Sequence, residues 1–184
     1  MAGDLYLQQA ADMVRHGGVI AYPTEAVYGL GCDPDNETAV MRLLAIKHRP
    51  VAKGLILLGA DVDQLLPWIQ LSDAQIQQLR DHWPVGTTYL VPASPKVPLW
   101  ITGAHHKVAV RVSAHPLATR LAQLAGTPLV STSANRAGAP SCRNAFQVGR
   151  QIGAELDFLV TGQCDITRKP STIVDIDSGN VVRN

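Results

Sequence analysis

The sequence predicts an α/β protein in which helices flank an open, twisted sheet with both parallel and antiparallel neighbours. Short apolar segments of strand length recur along the whole chain, and segments of helical period separate some of them but not others. A helix between two strands favours a parallel crossover, whereas two strands in direct succession favour an antiparallel pair. Neither a repeat nor a linker interrupts this order, so one domain is expected over residues 1–184.

The first third of the chain supplies two helices and a strand. Asp4 is expected to cap a helix over 5–15, and the apolar run 19–22 predicts a short buried strand. The glycine-rich segment 23–35 is interpreted as a connection. Asn36 then predicts the N-cap of a second helix, because apolar residues follow it at helical spacing.

The remaining chain alternates strands and helices less regularly. Residues 54–59 predict a buried strand, and Ser72 with Gln75 forms a capping-box pattern that opens a helix over 73–82. Further strands are expected at 87–93, 107–112, 128–134, 157–162, 171–176 and 181–183, and further helices at 116–125 and 144–153.

Composition excludes several classes of protein. Apolar residues make up 46% and charged residues 17% of the 184, which is typical of a globular chain. Apolar runs fall short of the ~20 residues that span a bilayer, and the N-terminus lacks the apolar core of a signal peptide. The three cysteines are an odd number without a C-x-x-C pair, which argues against a disulfide scaffold or a zinc site. We therefore expect a cytoplasmic protein that binds neither a membrane nor a metal through dedicated ligands.

The net charge of +1 conceals an uneven distribution of charge. Residues 82–154 contain seven Lys and Arg but no Asp or Glu, whereas the rest of the chain has nine basic and fifteen acidic residues. The cations of this stretch lie within strand-like segments instead of forming a tail. This pattern favours a concavity that binds an anion, such as phosphate, a nucleotide or RNA, over a solubilising surface.

A first basic cluster surrounds Pro50. Lys47 and Arg49 precede this proline at the end of a predicted helix, and Lys53 follows it. Cations at a helix C-terminus offset the helix dipole, which would explain them without a ligand. Three cations around a helix-breaking proline can also surround a polyphosphate, and the chain contains no P-loop motif that would do so instead.

Hydroxyl groups and a buried cation mark two further strands. Residues 131–135 are small or hydroxylated and end a predicted strand, so they form either a phosphate or ribose site or an ordinary turn with a helix cap. Lys107 and Arg111 share one face of another strand. Because the twenty residues on either side of Arg111 contain no acid, a ligand carboxylate or phosphate is a reasonable partner, with distant Glu25 as the alternative.

Four segments in this order resemble the YrdC-like threonylcarbamoyl-AMP synthases in their short, single-domain form. They are PTEAVYGLGCDPD (23–35), KHRPVAKGLIL (47–57), VAVRVSAHP (108–116) and STSANRAGAPSC (131–142). The resemblance implies a YrdC-like fold with a basic concave face. It also implies a nucleotidyltransferase that converts L-threonine, bicarbonate and ATP to threonylcarbamoyl-adenylate and pyrophosphate, with Mg²⁺ on the phosphates.

The resemblance also implies partners and residue roles. Downstream proteins would transfer the threonylcarbamoyl group to an adenosine next to the anticodon of tRNAs reading codons that begin with A. Transfer RNA itself is a candidate ligand of the basic face. The catalytic residues on the triphosphate would be Lys47 and Arg49. The threonine site would comprise Thr24, Arg111 and Ser131, and the nucleotide site Lys53, Lys107, Ser133, Asn135, Ser141, Arg143 and Arg183.

Three positions depart from the pattern of this family. Ala26 stands where many relatives have Thr, and Lys53 and Leu58 stand where longer relatives have Asn and His. Two other functions compete with the synthase. One is a non-catalytic RNA-binding or ribosome-maturation factor that uses the same basic face, although base-stacking aromatic residues are scarce at 5%. The other is a carbamoyl-transfer enzyme on the same scaffold, whose additional zinc-binding cysteines this chain lacks.

Overall fold

Nine strands and seven α-helices form within residues 2–84 and 86–183, which are the residues that the computed structural model describes. The helices are α1 (Ala2–Arg15), α2 (Glu37–Lys47), α3 (Val62–Leu65), α4 (Asp73–His82), α5 (Leu99–Thr102), α6 (Pro116–Ala125) and α7 (Ala145–Ile152). The strands are β1 (Ile20–Pro23), β2 (Tyr28–Gly31), β3 (Ile56–Gly59), β4 (Thr87–Pro92), β5 (Lys107–Val112), β6 (Leu129–Ser133), β7 (Phe158–Leu159), β8 (Thr172–Asp175) and β9 (Val181–Arg183).

The strands form one mixed sheet in the order β7-β1-β2-β6-β3-β5-β4-β8-β9. The pairs β1–β7, β3–β5 and β4–β8 are parallel, and the other five pairs are antiparallel. The edge strands β7 and β9 do not pair with each other, so the sheet is open. The predicted fold class, a mixed α/β sheet with flanking helices, is confirmed.

Helices cover the two faces of the sheet unequally. Leu58 and Leu129 are paired neighbours on one face, where they pack with apolar residues of α1 and α6. Leu57 and Val110 point to the opposite face, where they belong to a larger core with residues of α2, α4 and α7. Ile56 shares the face of Leu58 by strand alternation but borders an open pocket. The site therefore occupies the part of the α1/α6 face that these helices leave uncovered.

Residues 160–171, which we call the strap, join β7 to β8 across this open face. The strand order separates β7 from β8 by seven strand spacings, or about 34 Å at ~4.8 Å each. Twelve residues reach at most about 40 Å when fully extended. The strap also contains a turn, in which the amide of Arg168 donates to the carbonyl of Asp165 (3.1 Å). The Tyr28 hydroxyl donates to the carbonyl of Gly162 (2.7 Å) and accepts from its amide (2.9 Å). The amide of Asp165 donates to the carbonyl of Glu25 (2.8 Å).

Several predicted boundaries need correction. Asp4 lies in the first turn of α1, where its charge favours the helix dipole, and it does not cap the helix. The predicted connection 23–35 contains strand β2. Its glycines were interpreted as loop residues, but in the structure they allow close packing within the sheet. The strand predicted over 157–162 is confined to Phe158–Leu159. The caps predicted for Asn36 and Ser72 are confirmed.

The described helices were also compared with the length and hydropathy that a membrane span requires. None of those in the described part of the chain is long and apolar enough to cross a bilayer.

Candidate active site

The open face holds a pocket of about 660 Å³, a volume typical of small-molecule sites. The sheet forms its floor, the chain after α2 and the chain after β6 form two walls, and the strap with β9 forms a third. Eleven of the residues implied by the family resemblance line this pocket: Thr24, Lys47, Arg49, Lys53, Lys107, Arg111, Ser131, Ser133, Asn135, Ser141 and Arg183.

Arg143 is the implied site residue that the structure does not bring to the pocket lining. Its Nη1 donates to the carbonyl of Ile166 in the strap at 2.6 Å. The side chain therefore contacts the strap, and the implied contact of Arg143 with the nucleotide stays a prediction.

The turn after α2 directs two cations towards the pocket. His48 ends the helix in the left-handed region at φ 52°, a conformation that His adopts more readily than most residues. The amide of Arg49 then donates back to the carbonyl of Leu44 (3.0 Å), and Pro50 prevents further helix. Lys47 and Arg49 consequently flank the reversal and line the same pocket.

Lys47 is 4% exposed and bound to backbone oxygens. Its ammonium group donates to the carbonyl of Ser133, in a short contact, and to that of Asn135 at 3.0 Å. Burial and the nearby charge of Arg49 lower the pKa of Lys47 to about 8. The positive charge is thus held by carbonyl dipoles at the end of β6, and no carboxylate of the described residues forms a salt bridge with it.

Arg49 and Arg183 are like charges on opposite sides of the pocket entrance. Burial, and then the charge of Arg183, lower the pKa of Arg49. Arg49 Nη2 donates to the carbonyl of Gly54 (3.0 Å), whereas its buried Nε has no hydrogen-bond partner among the described residues. Neither arginine, nor Lys53, has a salt bridge to a described carboxylate. Cations that repel each other without a protein acid form a site for an anion.

The sequence left open whether residues 131–135 form a ligand site or an ordinary turn, and the structure shows features of both. Asn135 Nδ2 donates to the carbonyls of Arg136 (2.9 Å) and Ala139 (2.7 Å), so its side chain closes the loop. Ser131 and Ser133 lie two residues apart on the pocket face of β6. Asn135 therefore shapes the wall, while the serine hydroxyls remain on the floor.

Arg111 has a protein partner, Glu25, which is the alternative that the sequence left open beside a ligand anion. Its Nη2 forms a short contact with Glu25 Oε2, and both side chains are about nine-tenths buried. Glu25 Oε1 also accepts from Ser113 Oγ (2.9 Å) and the amide of Ala114 (2.7 Å). Burial alone would raise the pKa of Glu25, but the charge of Arg111 and these hydrogen bonds lower it to about 2.

Residues 82–154 contain no Asp or Glu, but the fold brings acids from other parts of the chain next to their cations. The ammonium group of Lys107 lies 2.6 Å from Asp175, the last residue of β8, and 2.7 Å from Asp177, just after it. Arg120 and Arg136 also pair with acids that lie before or after the stretch. A stretch of sequence without acids therefore does have acids close to it in the fold, and Lys107 lines the pocket with much of its charge already compensated.

Three strap residues in the lining were missed by sequence reasoning. Arg168 and Lys169 add two cations, and Ser171 is buried with its Oγ 2.8 Å from the Thr88 hydroxyl. The available signal was a pair of cations and a hydroxyl next to a predicted strand, as in the segment 131–135. This pattern alone does not predict a site, because the residues reach the pocket only when the strap crosses the open face of the sheet.

Of the three positions that depart from the family pattern, two reach the pocket. Ala26 and Lys53 line it, whereas Leu58 is fully buried in the core below α1 and α6. Thr24 is buried nearby, and its hydroxyl donates to the carbonyl of Val27 (2.6 Å).

Two glycines on β2 make room for a tyrosine of β1. A Cβ on Gly29 would lie 3.2 Å from the Tyr22 ring, and one on Gly31 would lie 2.4 Å from the carbonyl of Val130. Tyr22 therefore packs directly over the glycines, which are needed for this contact and not for a dinucleotide.

Comparison with known families agrees with this architecture. A protein-family model named for Sua5, YciO and YrdC, and described as telomere recombination, matches residues 12–184. The chain belongs to this family. A relative from the Sua5/YciO/YrdC family in Cellvibrio japonicus, named threonylcarbamoyl-AMP synthase, is 51% identical over 95% of this chain and 93% of its own length. A Stutzerimonas stutzeri protein of the same name is 50% identical over 100% of this chain and 99% of its own.

Solved structures of the Sua5/YciO/YrdC family have the same fold. P. abyssi Sua5 complexed with L-threonine matches with a TM-score of 0.88 at 34% identity, over 94% of this chain and 51% of that one. This chain thus spans about half the length of Sua5. E. coli YciO matches with a TM-score of 0.87 at 25% identity, over 98% of this chain and 89% of that one.

Proposed function

We propose that this protein is a threonylcarbamoyl-AMP synthase. It converts L-threonine, bicarbonate and ATP to threonylcarbamoyl-adenylate, pyrophosphate and water. The support comes from full-length identity of about 50% to proteins of that name and from a Sua5 relative whose structure contains L-threonine.

One observation carries this proposal: the pocket has two ends of different character. At one end Lys47, Arg49 and Arg183 crowd together without a carboxylate partner among the described residues. At the other end Arg111 is paired with Glu25. A triphosphate suits the first end, and a small zwitterion suits the second.

The proposed reaction requires mainly that the protein position the two substrates and neutralise the charge of the triphosphate. An oxygen of threonine carbamate attacks the α-phosphorus of ATP, and the bond from that phosphorus to the bridging oxygen of pyrophosphate breaks. In our proposal Lys47 and Arg49 hold the triphosphate as catalytic residues, aided by Lys53 and Arg183. Fixed donors placed where charge develops lower the barrier without reorganisation.

Further contacts complete the proposed assignment. Ser133, Asn135, Ser141 and Lys107 border the nucleotide, and Thr24, Ser131 and Arg111 border threonine. Mg²⁺ would bind phosphate oxygens, because Glu25 is the one acid among the described lining residues and Arg111 occupies it. No group of three or more metal-binding side chains occurs in the described part of the chain.

The proposed product is a reactive mixed anhydride, so it requires a prompt acceptor. We propose that it passes in the cytoplasm to proteins that transfer the threonylcarbamoyl group to tRNA. Direct tRNA binding to the basic rim of the pocket is part of the same proposal.

The test is pyrophosphate release by the purified protein with ATP, omitting L-threonine and bicarbonate in turn. We expect release only when both are present, and threonylcarbamoyl-adenylate as the product by mass spectrometry. Release without threonine would indicate a different acceptor. Tight RNA binding without any release would favour the non-catalytic alternative.

A further inference from the structure

Glu25 is the one carboxylate in a pocket otherwise lined by cations, as far as the described residues show. It is largely buried and ionised. A fixed negative charge repels a polyphosphate, so its place in this pocket calls for a positively charged partner. Arg111 is one such partner, and the question is whether Arg111 accounts for the carboxylate fully.

The hydrogen bonds of Glu25 leave room for one more donor. Oε1 accepts two hydrogen bonds, from Ser113 Oγ and from the amide of Ala114. Oε2 receives Arg111 Nη2, and no donor from another described residue reaches it, although the backbone amide of Glu25 itself also stabilises the carboxylate. A carboxylate oxygen accepts two hydrogen bonds. The Glu25 side chain also keeps about 12% of its surface exposed, next to the pocket that it lines.

Arg111 likewise keeps donors that Glu25 does not use. Its buried Nε has no hydrogen-bond partner in the described part of the chain. Glu25 and Arg111 thus form a side-by-side pair of opposite charges, each with unused hydrogen-bonding capacity. An α-amino acid presents the complementary pair, a carboxylate and an ammonium group on neighbouring atoms.

We propose that Glu25 binds the α-amino group of the amino-acid substrate while Arg111 binds its carboxylate. This inference rests on the proposed function and adds a residue that selects for amino acids. The four charges alternate in sign around the contact, so each has two opposite neighbours. The contact persists when the amine becomes a carbamate, because one N–H remains to donate. The opposing interpretation is that Glu25 is only a brace, by which we mean that it fixes the position of Arg111 and does not contact the substrate.

The two interpretations differ for a ligand without an amine. The compound (R)-3-hydroxybutanoate keeps the carboxylate and hydroxyl of L-threonine but lacks its amino group. A brace would affect binding of both compounds equally, whereas an amine contact concerns threonine alone. We would measure both dissociation constants by calorimetry at a saturating concentration of a non-hydrolysable ATP analogue. Wild-type protein should favour threonine by about tenfold or more.

The Glu25→Gln variant should reduce this preference to about threefold or less, mainly by weakening threonine. Glu155→Gln is the matched control, because Glu155 also pairs with an arginine, Arg136, but lies outside the pocket lining. It should keep the wild-type preference.

Three results would overturn the proposal. Equal affinity of wild type for the two compounds does so even if Glu25→Gln fails to fold. Equal weakening of both compounds in Glu25→Gln would make Glu25 a brace of Arg111. Wild type that binds neither compound overturns the amine contact together with the proposed function, whereas the first two results leave pyrophosphate release intact.

Discussion

Arg49 and Lys47 flank one backbone reversal but are held differently. Lys47 is buried and donates to the carbonyls of Ser133 and Asn135, so its removal leaves buried acceptors without a donor. Arg49 is less buried, and its Nη2 donates to the carbonyl of Gly54 (3.0 Å) and, at 3.5 Å, to that of Lys53. A substitution of Arg49 is therefore the cleaner test of a phosphate contact.

Arg49→Ala should reduce pyrophosphate release by roughly tenfold to a thousandfold, the range for loss of a charged transition-state contact. The Tm should stay within about 3 °C of wild type, because a cation at a helix end contributes only ~0.3–1 kcal/mol. Arg42→Ala is the control, since Arg42 lies on the same helix but pairs with Asp157 outside the pocket. Near wild-type turnover in a folded Arg49→Ala protein would contradict the phosphate role.

The pKa of Lys47 predicts how anion binding depends on pH. Burial and the charge of Arg49 lower that pKa to about 8, so the free protein loses this positive charge above pH 8. The affinity for inorganic tripolyphosphate should then fall by up to about tenfold per pH unit between pH 8 and 10. Lys47→Arg, which stays charged, should flatten the curve, and Lys53→Arg should not. Parallel curves for all three proteins would show that Lys47 does not bind the anion.

At the scale of elements, the strap is bound to the body of the protein along residues 160–166 and again at its end. The Tyr28 hydroxyl fixes its first turn through two hydrogen bonds to Gly162. Beyond Ile166, the next body contacts are the Ser171 hydroxyl and the amide of Thr172, which donates to the carbonyl of Gly86 (3.2 Å). The cations Arg168 and Lys169 lie between these attachments.

Tyr28→Phe should destabilise the protein by about 1–3 kcal/mol, because it leaves both backbone groups of Gly162 without this partner. Hydrogen exchange should rise most within 161–170, since the loss is at the start of the strap. Tyr89→Phe serves as the control, because no hydrogen bond of the Tyr89 hydroxyl occurs among the described residues. Exchange that rises uniformly across the sheet would mean that Tyr28 does not act through the strap.

The elements differ in how well the sequence alone predicts them. Helix α2 was predictable because Asn36 and the apolar spacing are local signals. Strand β2 was not, because its glycines are typical of a loop and its pairing with β6 joins residues about a hundred positions apart. The strap was not predicted for the same reason, because its course depends on the positions that β7 and β8 take in the sheet.

In the site too, features that depend on neighbouring residues were predictable, and contacts between distant parts of the sequence were harder to predict. Lys47 and Arg49 were predictable from a cation cluster at a helix end. The partners of Lys107 were not, since Asp175 and Asp177 are more than sixty residues away in sequence, and Glu25 was one of two alternatives left open for Arg111. Absence of acids along a stretch of sequence is therefore weak information about its electrostatic surroundings in the fold.

At the scale of the whole molecule, Glu25 connects parts of the chain that fold together. Its carboxylate binds the end of β5 and the residues after it, and its carbonyl accepts from Asp165 in the strap. Because the folded pKa is about 2 and the ordinary value 4.5, the unfolded chain binds more protons between these values. Stability from this group is present above pH 4.5 and is lost as the pH falls towards 2.

Glu25→Gln should remove this acid-dependent contribution, which amounts to at most about 3 kcal/mol. The free energy of unfolding, measured by urea denaturation at pH 6 and pH 2.5, should fall less with acid in Glu25→Gln than in wild type. Glu155→Gln should follow wild type, because its pair with Arg136 is well exposed. The same loss in all three proteins would mean that other carboxylates control acid unfolding.

The distribution of pocket residues along the chain has a consequence for synthesis. The ribosome makes the turn with Lys47 and Arg49 roughly 130 residues before Arg183 emerges on β9, an interval of about 7–27 s. Until residues 160–175 have been made, the nascent chain has the wall with Lys47 and Arg49 but neither the strap nor β8 to oppose it. An incomplete chain therefore lacks the enclosed pocket, and any activity of this pocket begins only when translation reaches the last strands.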